Sequence, residues 1–121
     1  MKTDKLRNVN VRILYWKEVP LQVEVEYGGN RVSLPLDNRF QEGVDAIAMS
    51  ENNYGTDEYL NGFQWGKYFS LAGETNNVLN DTVDKYNTKF PNDFVSRIVD
   101  MHKRNTRTSL PGSVDVWMES N

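Results

Sequence analysis

The sequence predicts an α+β domain in which a three-stranded antiparallel sheet has about four helices packed on one face. Two observations support the sheet. Apolar and polar residues alternate over residues 9–36, and Gly28-Gly29 interrupts this alternation as the turn of a β-hairpin would. A third observation supports the helices, because apolar residues recur every three or four positions after residue 36. Since a sheet with one apolar face needs a covering layer, we expect the helices to lie on that face.

Three strands are expected before residue 37. The first begins at Val9, and Pro20, which cannot donate to a sheet, favours a tight connection from Lys17 to Pro20. The other two strands flank Gly28-Gly29, and a two-residue loop there pairs apolar residues on one face, Val25 with Val32 and Val23 with Leu34. The opposite face is expected to be solvated and carries Arg12, Gln22, Glu24, Glu26, Arg31 and Ser33.

Four helices are expected after the sheet. Asp37 and Thr56 suit the N-caps of the first two, and Asp57 falls in a first turn, where the helix dipole favours a carboxylate. The third helix is predicted from Asn76 to Lys89, and the fourth begins near Pro91. Trp65 is placed near the end of the second helix, and residues 70–75 in a loop. The residues expected to face the core are Phe40, Val44, Ile47, Ala48, Tyr59, Leu60, Phe63, Leu79, Val83, Tyr86, Phe90, Phe94, Val95, Ile98 and Met101.

The length of 121 residues corresponds to one domain. We expect residues 1–8 to form a flexible N-terminus and residues 9–104 to form the α+β domain. Residues 105–121 are expected to form a C-terminal tail, in which the alternation of Val114 and Val116 allows one short extra strand.

Composition excludes several functional classes. The chain has no cysteine, so disulfides, cysteine-ligated zinc, iron–sulfur clusters and thiol nucleophiles are excluded. The net charge of −3 argues against nucleic acid as a partner, because general nucleic-acid binders need a basic face. No apolar run approaches the roughly 18–20 residues of a membrane helix, and the polar start of the chain lacks a signal-peptide core. We therefore expect a cytoplasmic protein without a membrane partner.

Trp16, Lys17 and Glu18 form the first candidate site. Tryptophan is enriched in interface hot spots, so this elbow of the chain is a candidate for docking a protein partner, with Trp16 exposed. The alternative is that Trp16 caps the edge of the sheet.

Arg39 and Asp57 form the second candidate site. Each begins a helix after a loop, so the two side chains could meet near the end of the sheet, in a polar pocket with Tyr15 and Trp65 as its walls. The alternative is a structural ion pair together with a helix cap.

Signals for metal binding and catalysis are weak. His102 is the one histidine, and it lies with Lys103 and Arg104 in the last turn of a helix, where cations complement the dipole. No metal or other cofactor is expected. The carboxylates of Glu24 and Glu26 share one strand face, which would allow acid–base chemistry, although such a row is commonly just solvated. Arg107 extends the basic cluster at His102, which is read as a solvated helix end rather than an anion site.

The segment Tyr15-Trp16-Lys17-Glu18-Val19-Pro20-Leu21-Gln22-Val23 resembles the signature strand and turn of the bacterial virulence factor domain family, a domain also found in conserved virulence factor C proteins. The resemblance covers residues 11–68, and residues up to 104 fit more loosely. Further matching segments are Arg39-Phe40-Gln41, Val44-Asp45, Ala48-Met49 and Thr56-Asp57-Glu58-Tyr59-Leu60, with Trp65 behind them.

Two departures from the family pattern are visible. The family tends to carry arginine and aspartate where this chain has Lys17 and Glu18. Because lysine lacks the bidentate fork of arginine, a carboxylate or phosphate bound there would be held less strictly. The segment after Asn105 has no counterpart in the resemblance.

The resemblance implies a small module without an established chemistry. We therefore expect a non-enzymatic protein-interaction module. One alternative, implied by the family association alone, is an accessory subunit of a one-carbon or corrinoid methyl-transfer system with a small anionic ligand near Arg39. The other alternative is a small enzyme that uses Asp57 or the pair Glu24 and Glu26.

Overall fold

Five antiparallel strands form one sheet in the computed structural model, which describes residues 7–119. The central strand β1 (Asn8–Trp16) pairs with β2 (Val19–Tyr27), which pairs with β3 (Asn30–Pro35). On its other side β1 pairs with two short strands, β4 (Phe63–Trp65) near its end and β5 (Phe69–Ala72) near its start. The prediction of three strands is therefore wrong, because β4 and β5 lie in regions assigned to a helix and a loop.

The hairpin between β2 and β3 has the predicted register. Val25 lies opposite Val32 and Val23 opposite Leu34. Gly28 and Gly29 have φ values of 59° and 87°, the positive values that a primed two-residue turn requires. Val23 and Val25 are fully buried, but Val32 and Leu34 remain 36% and 38% exposed because β3 is an edge strand.

Between residues 7 and 119, four α-helices accompany the sheet, as predicted. They are α1 (Asn38–Ser50), α2 (Asp57–Asn61), α3 (Thr75–Lys89) and α4 (Phe94–Lys103). Helix α3 packs against β2 and β3, while α1 packs against β2 and α4. The predicted stripe of α1 is fully buried and consists of Phe40, Val44, Ile47 and Ala48.

Two helix starts differ in their capping. Thr56 caps α2 as predicted, because its Oγ1 accepts a hydrogen bond from the main-chain N–H of Tyr59 at 3.3 Å. Asp37 occupies the N-cap position of α1 but makes no side-chain capping bond. Its main-chain N–H donates to Asn87 Oδ1 at 3.0 Å, which ties the start of α1 to α3.

Residues 105–119, which we call the C-terminal segment, end in a helical turn that packs on the core. Asp115–Glu119 forms a 3-10 helix, in place of the short strand allowed by the alternation. Val114 and Met118, four positions apart, are buried in the core. Residues 1–6 of the predicted flexible N-terminus and residues 120–121 of the predicted C-terminal tail lie outside the described residues, and Asn8, which was assigned to the flexible N-terminus, begins β1.

The polar face of the sheet is less solvated than predicted. Glu24 is buried, and its carboxylate accepts hydrogen bonds from Arg12 Nε at 2.9 Å and from Tyr68 Oη at 2.7 Å. The Arg12 guanidinium lies over the rings of Trp65 and Tyr68, 4.1 and 4.8 Å from their centroids. Trp65 of β4 and Tyr68, between β4 and β5, therefore cover this part of the sheet together with the Arg12 guanidinium.

Between residues 7 and 119, none of the helices combines the length and the apolar character that crossing a membrane requires.

Candidate functional site

Trp16 is a core residue and not the exposed docking residue that the sequence suggested. Its side chain has no exposed surface, and its indole Nε1 donates to the carbonyl of Tyr59 at 2.8 Å. Gly62 lies so close that a Cβ there would be 2.6 Å from the indole nitrogen. A partner cannot reach Trp16 without opening the contact between β1 and α2.

Lys17 and Glu18 belong to an ion-pair network. Glu18 is fully buried and accepts two hydrogen bonds from Arg107, at 2.7 and 2.8 Å. Arg107 also donates to Glu51, which Lys17 approaches at 3.2 Å. Burial raises the pKa of the Glu51 carboxyl, but the hydrogen bonds and charges of Arg107 and Lys17 outweigh it and leave the pKa below its usual range.

Arg39 and Asp57 do not share a pocket. Arg39 donates to the carbonyls of Asn87, Phe90 and Pro91, at 3.1, 3.0 and 3.4 Å, so its guanidinium satisfies carbonyls at the end of α3. Its carboxylate neighbour is Asp37, at 3.9 Å. Asp57 is exposed in the first turn of α2, where it faces solvent.

Tyr15 and Trp65, the predicted walls of that pocket, do line one cavity together. The cavity has a volume of about 560 Å³ and lies between β1, the connection of β4 to β5, α3 and the C-terminal segment. Its polar groups come from other residues than Arg39 and Asp57. The complete lining is Ile13, Tyr15, Trp65, Gly66, Lys67, Phe69, Tyr86, Leu110, Pro111, Gly112 and Asp115.

Asp115 lines this cavity, and one of its carboxylate oxygens is buried without a partner among the described residues. Its Oδ2 accepts hydrogen bonds from the hydroxyls of Tyr15 and Tyr86, at 2.6 and 2.7 Å. Its Oδ1 is buried and has no hydrogen-bond partner among residues 7–119. Because buried acceptors in folded proteins are nearly always paired, this oxygen needs an explanation.

The protonation of these three groups follows from their burial. Burial raises the pKa of Asp115, against the lowering effect of the two tyrosine hydroxyls and of the charge on Lys85. Burial and the adjacent carboxylate raise the pKa of Tyr15 and of Tyr86 well above the usual range. Both phenols therefore stay protonated as hydrogen-bond donors, and both donate to the same oxygen of Asp115.

Part of the cavity lining is apolar and exposed. Trp65, Phe69 and Leu110 line the cavity and are exposed, and Leu71, two positions after Phe69 on β5, is exposed as well. We call these four side chains the apolar rim. Gly66, whose main-chain N–H donates to the Ile13 carbonyl at 2.8 Å, holds the connection of β4 to β5 against β1 at this point.

Sequence reasoning missed Arg107 as a buried ion-pair residue and Asp115 as a candidate site residue. Helical spacing of Val114 and Met118 was the available signal that this segment folds back onto the core. His102 lies exposed, 3.9 Å from Glu51 Oε2. Among the described residues, no three histidine, aspartate or glutamate side chains come together as a metal site.

Comparison with known proteins adds a family. The model of the virulence factor family matches residues 14–99, a segment that contains Tyr15, Trp65 and Tyr86 but ends before Arg107 and Asp115. No curated protein and no solved structure matches the chain significantly. Because the matched segment covers well over half of the 121 residues, this chain belongs to the virulence factor family.

Proposed function

We propose that this chain is a non-enzymatic interaction module that holds a protein partner at the Asp115 cavity and its apolar rim. The observation that carries this proposal is a cavity of about 560 Å³ whose lining includes the exposed side chains of Trp65, Phe69 and Leu110.

The size of the cavity favours a binding role. A volume of about 560 Å³ lies within the usual range of ligand sites and is ample for one large side chain.

The apolar rim favours a protein over a small molecule. A ligand confined to the cavity would leave Leu71 and the outer surfaces of Trp65, Phe69 and Leu110 in water. A protein surface covers them, and aromatic residues of this kind are enriched where proteins meet. The interaction surface thus lies on β4, β5 and the C-terminal segment rather than on Trp16.

The carboxylates considered for catalysis lie elsewhere. Glu24 is committed to Arg12 and Tyr68, and Asp57 is exposed at the start of α2. Neither lines the Asp115 cavity. This placement supports a binding module over a small carboxylate-dependent enzyme.

Two leucine variants test the proposal. Leu110 on the apolar rim and Leu60 on α2 are both 61% exposed, so glutamate at either position places the same charge in a similarly open environment. Proteins captured from the source organism by the tagged chain would be titrated calorimetrically against both variants. We expect Leu110→Glu to weaken binding by about tenfold or more and Leu60→Glu to leave it unchanged. Equal affinities, or the capture of no protein, would contradict the proposal.

A further inference from the structure

We infer that the protein partner at the apolar rim is a second copy of this chain, whose β5 strand pairs antiparallel with β5 across a twofold axis. This inference rests on the proposed binding role of the apolar rim and names the partner. The observation that carries it is the outer edge of β5, a strand that pairs with β1 on one side only.

One hydrogen bond fixes which residues of β5 point outward. The N–H of Gly73, directly after β5, donates to the Arg7 carbonyl at 2.9 Å, so Gly73 bonds toward β1. Main-chain groups in an antiparallel pair alternate between the two sides of a strand, so those of Ser70 and Ala72 point away from β1. Both residues are exposed, and no strand within residues 7–119 pairs with this edge.

The two edges of the sheet differ in how they resist pairing. Natural proteins protect edge strands with charged residues and proline. On β3 the same alternation, fixed by a bond of 2.9 Å from the Leu36 N–H to the Leu21 carbonyl, turns Arg31, Ser33 and Pro35 outward. The β3 edge therefore carries both kinds of protection. The four residues of β5 include neither a charge nor a proline, so β5 is the edge that is open to a further strand.

The sequence of β5 suits pairing with itself. A twofold axis at Leu71 places Ser70 opposite Ala72 of the second copy, where their outward groups exchange hydrogen bonds. Leu71 then faces its own counterpart, and Phe69 faces Gly73, which has no side chain and leaves room for the ring. Phe69 and Leu71 are 43% and 39% exposed on the apolar face of the sheet, and this pairing covers them.

Charges at the two ends of β5 are complementary in this arrangement. Lys67 lies two positions before β5, and Glu74 lies two positions after it. Antiparallel pairing brings Lys67 of each copy within one residue of the position of Glu74 in the other, so opposite charges meet at both ends. Glu74 accepts from the main-chain N–H of Asn77 through Oε1, which leaves Oε2 for the lysine. This complementarity favours a second copy over an unrelated strand.

The arrangement closes at a dimer. A twofold contact uses the same surface on both copies, so the β5 edges of both are consumed in it. The outermost strands of the joined sheet are then the two copies of β3, whose edges Arg31 and Pro35 protect. Further growth by edge pairing is thereby opposed.

Hydrogen exchange on the wild-type chain tests the pairing directly. Exchange of the outward amides of Ser70 and Ala72 on β5, and of Arg31 and Ser33 on β3, is followed by ¹⁵N NMR from about 10 μM to about 1 mM protein. We expect the β5 amides to exchange about tenfold more slowly than the β3 amides once sedimentation shows a dimeric mass. A chain that stays monomeric over this range, with all four amides exchanging at similar rates, would overturn the inference.

Two serine variants separate the β5 edge from the β3 edge. Ser70→Pro and Ser33→Pro each remove an outward N–H that has no partner strand, and Pro35 shows that an outward position of an edge strand accepts proline. We expect Ser70→Pro to raise the dissociation constant of the dimer by about tenfold or more and Ser33→Pro to leave it unchanged. Equal dissociation constants for the two variants would overturn the inference.

A charge variant keeps the inference falsifiable if Ser70→Pro fails to fold. Lys67→Glu leaves β5 intact and places a like charge beside Glu74 of the second copy, so we expect the dimer to weaken by about threefold or more. Lys103→Glu, on the exposed side of α4, changes the net charge equally and should have no effect. Equal effects of the two lysine variants would contradict the antiparallel arrangement.

The outcomes separate this inference from the proposed function. A monomeric chain whose captured protein is lost in Leu110→Glu would overturn the second copy and leave the interaction surface to a different protein. A dimer that Ser70→Pro dissociates but Leu110→Glu does not would support pairing through β5 and contradict the proposed role of the cavity. A dimer that only Ser33→Pro dissociates would overturn the inference, because its contact would lie on β3.

Discussion

Arg107 donates two hydrogen bonds to the carboxylate of Glu18, although 89 positions of sequence separate the two residues. Their side chains are 3% and 0% exposed. The same guanidinium also donates a hydrogen bond to Glu51, the residue that follows α1. Arg107 therefore joins the turn after β1, the end of α1 and the segment that carries Asp115.

Removing this guanidinium should destabilise the chain strongly. Arg107→Met leaves two carboxylates buried and lacking their main cation, which typically costs about 3–5 kcal/mol. Arg104→Met is the control, because Arg104 is 72% exposed and pairs with Asp100 only on the surface of α4, where such a pair contributes roughly 0.3–0.5 kcal/mol. Urea unfolding measures both. A loss for Arg107→Met no larger than that for Arg104→Met would show that the buried network contributes little.

The stability of Asp115→Asn relative to wild type should rise with pH. Burial raises the pKa of Asp115 in the folded chain above the ordinary value of 3.8. The stability that Asp115 contributes is thus fully present below pH 3.8 and is lost as pH rises through the folded pKa. Asparagine does not titrate, so the difference in unfolding free energy shifts in favour of the variant as pH rises above 3.8. Urea titrations across this range measure it, and a constant difference would contradict the assigned shift.

Glu24 and Glu26 should respond differently to the same substitution. Glu24→Gln weakens charge-assisted bonds from Arg12 and the hydrogen bond from Tyr68, a loss of about 1.5–3 kcal/mol for a buried carboxylate. Glu26 lies two positions further on β2 and is more open to solvent, so Glu26→Gln should remain close to wild type. Thermal unfolding of the two variants measures the difference. Equal melting temperatures would mean that the layer over Glu24 does not exclude water.

Gly43→Ala should destabilise α1 although alanine is the better helix former. A Cβ at Gly43 would lie 2.3 Å from Phe94 Cζ, and Phe94 is itself buried and stacked on Phe40. Overpacking of this kind costs about 1–3 kcal/mol, which exceeds the gain of up to 1 kcal/mol from helix propensity.

Ala46→Gly is the control for this variant, because Ala46 is exposed on the same helix. It should cost roughly 0.5–1 kcal/mol through propensity alone. Denaturant unfolding of both variants separates the two effects. A gain in stability for Gly43→Ala would show that α1 and α4 can separate easily.

Local sequence patterns predicted the hairpin and the helices. The two strands that were missed, β4 and β5, form through pairing with residues far away in the sequence. The register of β2 and β3 follows from the alternation and the two adjacent glycines, which all lie within 14 consecutive residues. Strands β4 and β5 are three and four residues long, too short for a period to appear, and they exist through pairing with β1 about 50 to 60 positions earlier. Their residues therefore resembled the end of a helix and a loop.

The candidate site was predictable only in part. Tyr15 and Trp65 line one cavity, but Arg39 and Asp57 do not, and the carboxylate bonded to Tyr15 lies 100 positions away, in the C-terminal segment. A register irregularity between Leu14 and Tyr15 lets consecutive residues Tyr15 and Trp16 both become buried, which strict alternation does not allow. The burial of Glu18 likewise depends on Arg107, whose position no local pattern reveals.

The separation of Tyr15 from Asp115 also sets an order of events on the ribosome. Translation adds roughly 5–20 residues per second, so about 5–20 s pass between the addition of Tyr15 and the addition of Asp115 to the nascent chain. During that interval the nascent chain already carries the aromatic walls of the cavity but not its carboxylate. The Asp115 carboxylate is thus added last, after the sheet and all four helices have been synthesised.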